Sequence, residues 1–347
     1  MLAQATATDD GGLLALSLAI VVALIFLFII RLMDPNEKEP LWAVGMALGF
    51  GFFAGVVFYL LVDTGVLELE IIEGALIEEL GRFAIIAAVV ATLNGIGRAR
   101  GWSEVSGLLD GIVYGTAVGL GLTTASVFVT ELVFPTSPLL PVSPLGQLWP
   151  ILLVGLADGI FGGIIGAGFG AATEARSAAS RVLYPIVGLS AAFLAHAGYS
   201  YVRFGMANTS QGPALKWVAL LLPLAVVIGV MIMAIGRERR AIITELEDEA
   251  NAGVVSENEF RLLRSPAARR SAYAKAYMSG DFDGWGQMKA LHNRQVQLAL
   301  SEARLRREAD PDRRAMILAE TEAFRASILD LKAQQQGSSS ATTTAGV

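Results

Sequence analysis

Seven apolar runs, each long enough to cross a bilayer, leave few folds open to this chain. They lie at about 12–32, 41–62, 76–97, 106–131, 147–173, 182–204 and 214–236. Crossing roughly 30 Å of hydrocarbon takes about 20 helical residues, and inside lipid every backbone polar group must be satisfied by the protein itself. The expected fold is therefore all-α, a polytopic membrane helix bundle of about seven transmembrane helices with a helical tail. The breaks between runs hold Pro, Gly or charge clusters: DPNEKEP, GRARGWSE, PTSPLLPVSP and RFGMANTSQGP.

Charge divides the chain further. Only 17% of its residues are charged, against about 25% in soluble domains. From Arg237 onward there are 17 basic and 16 acidic side chains, while residues 1–236 hold the other 9 basic and 16 acidic. Three regions follow: a transmembrane bundle at 1–236, a charged helical domain at 237–335 and a low-complexity, disordered end at 336–347. The absence of cysteine excludes disulfides, thiolate metal sites and a cysteine nucleophile. The opening MLAQATATDDGG lacks the basic stretch of a cleavable signal peptide, so the first run reads as a permanent anchor.

Loop Lys and Arg set the expected orientation. One set of loops carries Arg31, Lys38, Arg98, Arg100, Arg176, Arg181, Arg237, Arg239 and Arg240. The other carries only Arg203 and Lys216, with Asp63, Glu68, Glu70 and Glu73. That asymmetry puts the N-terminus outside and the tail in the cytoplasm. Glycine stripes predict close helix packing: Gly107, Gly111, Gly115 and Gly119 in the fourth run, and Gly155, Gly159, Gly163 beside Gly162, Gly166, Gly170 in the fifth.

Ionisable residues inside the runs are few: Glu78, Glu79, Arg82, Asp110, Asp158 and His196, with Glu131 and Glu174 near run ends. Intramembrane charge is costly and by default marks function. Glu78 and Glu79 stand four and three residues before Arg82, on one helical face. Their depth, that of Asp158 midway along the fifth run and that of His196 in the outer half of the sixth differ by a few helical turns. Asp110 sits at the opposite end. Carboxylate plus imidazole is a donor set for a zinc ion, with a second carboxylate as general base. An ion pair of structural purpose and a helix–helix histidine contact are the plainer readings of the same residues.

At these residues the chain resembles the PrsW family of bacterial intramembrane metalloproteases, relatives of the CAAX-processing and bacteriocin-processing membrane proteases. DPNEKEPLWAV is similar to the family's acidic, proline-bearing loop. IEELGRF is similar to its first motif, two glutamates followed by a basic residue, with Arg82 where Lys is usual. DGIVYGTAVGLGL from Asp110 resembles its fourth-span signature, and HAGYS from His196 its last motif. Leu122 and Ser126 hold the places of a Phe and a Glu, Asp158 that of a common His, and Ser200 that of an Asp or Asn. The resemblance implies a multi-pass protein of a bacterial cell membrane, in contact with lipid, that cleaves membrane-anchored protein substrates near the outer leaflet. It implies Glu78, Glu79 and Arg82 as catalytic residues, and Zn2+ held by Glu79, Asp158 and His196. Two alternatives share the residues: an inactive relative that binds transmembrane partners, favoured by Ser126 and Ser200, and a small-solute or proton transporter. Against the transporter stands the absence of an inverted repeat.

In the tail, SENEF from Ser256 fits a capping box, and three or four helices are expected between about 240 and 335. Met316, Ile317, Phe324, Ile328 and Leu331 recur near a helical period. SGDFDGWG lacks calcium-loop spacing and reads as a turn with helix caps. Arg304, Arg306, Arg307, Arg313 and Arg314 are mixed with acids, which suits a solvated face touching anionic lipid and not a nucleic-acid surface.

Overall fold

The computed structural model describes residues 2–33, 39–65, 69–99, 104–133, 144–206 and 209–344. The predicted breaks at 34–38, 100–103 and 134–143 lie outside these residues, and so do Lys38, Glu68 and Arg100 of the loop-charge pattern. Among the described residues there is no strand.

The chain divides into two compact units. The first is built from α1 (Leu2–Met33), α2 (Leu41–Asp63), α3 (Ile71–Ala99), α4 (Leu108–Phe128), α5 (Pro144–Thr173), α6 (Ala178–Ser200) and the first part of α7 (Gly212–Asn251). Short π-helical turns extend α4 over Val129–Val133 and α6 over Tyr201–Gly205. Among the described residues, six helices are long and apolar enough to cross a membrane: α1, α2, α4, α5, α6 and α7. The third of the seven predicted spans, α3, is not among the six. It has 29 residues, ample length, and its first twelve include Glu73, Glu78, Glu79 and Arg82.

The outer surface of these helices is that of a molecule solvated by lipid. Phe28, Phe53, Leu194, Leu222 and Met233 are each more than half exposed. In water such apolar area would drive association; in a bilayer it matches its solvent. The membrane-embedded, multi-pass character of the chain rests on this surface as well as on helix length.

At the centre lies α4, with α5, α2 and α1 around it. Every residue from Leu109 to Ala125 is buried. Lipid gives no hydrophobic drive between helices, so close backbone contact must hold them, and the glycines supply it. A Cβ on Gly111 or Gly115 would run into the carbonyls of Gly166 and Gly162 in α5, and one on Gly119 into the carbonyl of Asp158. On the other side of α4, Gly121 meets Leu48 and Gly51 of α2 meets Val118. The buried start of α4 is satisfied by side chains: Asp110 accepts from the amides of Ser106 and Gly107 at 2.6 and 3.0 Å, and Glu174 from that of Leu108 at 3.2 Å. Tyr114, deep in α4, donates to Glu39 at 2.8 Å, tying down the start of α2.

The second unit holds the rest of α7, then α8 (Glu257–Leu263), α9 (Pro266–Met278), α10 (Phe282–Leu305) and α11 (Pro311–Thr344). Its core joins Ile242, Leu246, Phe260, Leu263 and Val296, with a second cluster of Leu291, Leu298, Phe324 and Ile328. The capping box is present: Ser256 and Glu259 exchange bonds at 3.3 and 2.7 Å. Asp281 caps α10 through the amide of Gly284 at 2.8 Å, the turn that its sequence predicts. His292 is buried against Tyr273, which lies 3.1 Å from its Nδ1. Burial first, then the charge of Arg269, pushes its pKa down to about 4, so the tail histidine is a neutral core residue. One expectation differs. Met316 is 52% exposed, because it precedes Ile317 by one residue, or 100° of helix, and points away from that core.

Gly115→Ala is expected to cost about 1–3 kcal/mol by forcing α4 off α5. Gly229→Ala in α7, where a Cβ meets open space, should be neutral or mildly stabilising. Reversible unfolding in mixed micelles measures both.

Candidate functional site

Three helices bring the predicted polar residues together around one guanidinium. The geometry begins on α3, where helical spacing puts Glu78, Glu79 and Arg82 on a single face. Arg82 is fully buried. Its Nη1 pairs with Glu79 Oε1. Its Nη2 donates to Glu78 Oε1 at 2.7 Å and to Asp158 Oδ1, from α5, at 3.0 Å. The second oxygen of Asp158 accepts from Thr123 of α4 at 2.6 Å. Glu79 Oε1 also meets Nδ1 of His196, from α6, at 2.7 Å. Because that oxygen already accepts from Arg82, the imidazole is the donor, which leaves Nε2 for other partners.

Neighbouring side chains fix these groups. The His196 ring stacks on Phe161 with centroids 4.8 Å apart and planes 15° from parallel. The guanidinium of Arg82 lies 5.8 Å from the centroid of the same ring, within cation–π range. Tyr59 of α2 lies 3.4 Å from Glu78 Oε1. Exposure is graded across the cluster: Arg82 and Glu79 are sealed, while the side chains of His196 and Glu78 are 12% and 16% exposed. The edge that a substrate or water can reach is thus formed by Glu78 and His196. Behind it, Glu79 Oε2 and Arg82 Nε are buried with no hydrogen-bond partner among the described residues. Such orphaned groups are expensive and invite a functional explanation.

Sequence reasoning named Glu78, Glu79, Arg82, Asp158 and His196, and the fold brings all five together. It missed Thr123, Phe161 and Tyr59. Thr123 lies one helical turn along α4 from Gly119, whose missing side chain lets α4 reach Asp158, so the glycine stripe was the available signal. Phe161 and Tyr59 stand in ordinary apolar runs that carry none. Ser126 and Ser200 make none of the bonds that join this cluster among the described residues. Ser126 instead offers its carbonyl to Thr130 at 2.8 Å.

Zinc held by Glu79, Asp158 and His196 does not fit this arrangement. Among the described residues, no three His, Asp or Glu side chains are grouped as ligands of one ion. The reason is Arg82, whose nitrogens take the place on which Glu78, Glu79 and Asp158 converge. Both oxygens of Asp158 are engaged, so that with Nδ1 bound to Glu79 the donors left are Nε2 of His196 and Oε2 of Glu79, fewer than three. Three carboxylates against one guanidinium leave charge to spare for a further cation, but the donor geometry a catalytic zinc requires is missing.

A family model described as PrsW family intramembrane metalloprotease matches residues 39–235, more than half of the chain. The chain belongs to the PrsW family. No curated protein and no solved structure matches it. The matched region opens at Glu39, the partner of Tyr114, and closes within α7, so it contains the whole polar cluster and leaves out α8 to α11. Membership makes the chain a multi-pass member of a protease family whose description includes a metal.

Arg82→Met strands three buried carboxylates and is expected to cost about 3–5 kcal/mol. Arg82→Lys, which keeps the charge but loses the two-pronged geometry, should cost less. Chemical unfolding in micelles separates the two, and equal stability of all three proteins would contradict the cluster.

Proposed function

We propose that this PrsW-family protein is an intramembrane peptidase that cleaves membrane-anchored protein substrates near the outer leaflet of a bacterial cell membrane, its tail in the cytoplasm. The loop-charge asymmetry, with α3 as the seventh span, supports the orientation. The observation that carries the chemistry is the 2.7 Å bond between Glu79 and His196 beside the more exposed Glu78. A peptide bond inside a membrane is hydrolysed only where water, a base and a group that polarises the carbonyl meet.

Glu78 is the base. Its Oε1 is held by Arg82, and its side chain is the most exposed of the cluster's three carboxylates. It takes a proton from a water molecule as the water oxygen bonds to the scissile carbonyl carbon. His196, carried as the imidazolium, oriented through Nδ1 by Glu79 and braced by Phe161, donates its Nε2–H to the carbonyl oxygen as negative charge develops there. The C–N bond then breaks, and the proton held by Glu78 passes to the leaving amine. Arg82 and Asp158 do no proton transfer; they position Glu78 and Glu79. No step is routed through a metal, since the donors do not fit one.

A second reading rests on a specific observation. Ser126 and Ser200 stand where the family pattern has an acid and an Asp or Asn, and Arg82 pairs with each of the remaining acids. That supports an inactive member which binds transmembrane partners. No comparable observation favours the transporter.

Single-pass membrane peptides co-reconstituted in vesicles and followed by mass spectrometry test the peptidase. Glu78→Gln should lower the cleavage rate by about 10²–10⁴-fold, and His196→Ala should do likewise. Binding of the peptides without cleavage would favour the inactive member. Stoichiometric metal in the purified protein, lost in His196→Ala, would overturn the metal-free site.

A further inference from the structure

The second unit carries an apolar surface that its own core does not use. α9 and α10 meet in a tight turn, and at its tip Tyr277, Met278 and Phe282 are 57%, 85% and 59% exposed. Burial would ordinarily claim side chains of this kind. They are not loosely strewn. Tyr277 packs edge-on against Phe282 and Trp285, with ring centroids 5.4 and 5.9 Å apart, and Lys289 Nζ lies 5.1 Å over the Trp285 ring. Gly280 holds a φ of 77°, a left-handed conformation that glycine adopts at least cost. Ser279 Oγ donates to the carbonyl of Ala276 at 2.8 Å, and the Asp281 cap closes the other side. The aromatic tip is therefore preformed.

The charge of α9 and the segment before it is one-sided, although the tip also carries exposed Asp281, the α10 cap, and Asp283. Between Glu259 and Asp281 there is no acid, while Arg261, Arg264, Arg269, Arg270 and Lys275 contribute five positive charges. Arg269 is buried; the other four are exposed. On α9 itself the outward arc Arg270, Ser271, Ala274, Lys275, Tyr277 and Met278 is exposed throughout, half basic or polar and half apolar. Of the five, Arg261 lies 4.0 Å from Glu257, while bases on α10 and α11 are held closer to acids: Arg304 with Glu320 at 2.9 Å, Arg306 with Glu245 at 2.9 Å, Arg325 with Glu249 at 2.5 Å and Lys332 with Glu259 at 2.8 Å.

We propose that the α9–α10 tip is a peripheral membrane anchor that docks on anionic phospholipid. Tyr and Trp beside Lys and Arg is the composition of membrane–water interfaces, and the basic face of α9 complements anionic headgroups. The unit is joined through α7 to helices that span the bilayer, so lipid is the partner at highest effective concentration. A second copy is a poorer occupant, because pairing this face with itself sets like charges opposite each other. The anchor is independent of whether the cluster on α3 is catalytic.

The chain has no cysteine, so Met278→Cys in the full-length protein takes a single spin label at the tip, and Ala315→Cys, on an exposed position of α11, provides a reference. In phosphatidylglycerol vesicles the ratio of oxygen to nickel-chelate accessibility at 278 should rise several-fold over its value in detergent, with 315 unchanged. Adding Arg270→Glu and Lys275→Glu should return 278 toward the aqueous value. A label at 278 that stays water-accessible in phosphatidylglycerol vesicles overturns the proposal. So does immobilisation in detergent that fades on dilution, which would mean contact between copies.

Discussion

The guanidinium of Arg82 is the constraint on which the rest of this structure turns. A buried arginine inside a helix bundle must be surrounded by acceptors, because stripping its hydration without replacement costs several kcal/mol. Glu78 and Glu79 satisfy it from the same helix, but Asp158 comes from α5 and so fixes how α3 stands against the bundle. Through Glu79 the same charge reaches His196 on α6. One cation thereby sets the mutual positions of three helices and the orientation of an imidazole.

That arrangement depends on α4. It buries Leu109, Ile112, Tyr114 and Leu120, and between them its Gly, Ala and Thr positions let neighbours come near. Where Gly119 touches the backbone of Asp158, and Thr123 follows one turn on to bind its carboxylate, packing and polar chemistry meet at the same point. The cluster is rigid because its floor is close-packed backbone, and it is open only on the side where Glu78 and His196 reach the surface.

The bundle and most of the site were legible from the sequence for physical reasons. Lipid demands long apolar helices, and charges inside them are too costly to be incidental, so the residues that break the apolar pattern were also the ones the fold assembles. Glycine spacing showed which faces of α4 and α5 meet. What spacing could not show was the role of Arg82. A basic residue next to two acids reads as a local ion pair, and only the approach of α5 turns it into a hub on which three carboxylates converge. Phe161 and Tyr59 were invisible because an aromatic in an apolar run looks like any other lipid-facing or core residue. Met316 misled because two adjacent apolar residues cannot both face one core.

The account stands or falls on the pairing of Arg82 with Asp158 across α3 and α5, which no local helical geometry enforces. Solid-state NMR on protein in lipid, with 15N in the arginine guanidinium and 13C in the aspartate carboxyl, measures that separation directly. The 3.0 Å bond predicts strong dipolar dephasing of the Asp158 carboxyl by an arginine nitrogen, lost in Arg82→Lys. An Asp158 carboxyl with no arginine nitrogen within dipolar reach would contradict it.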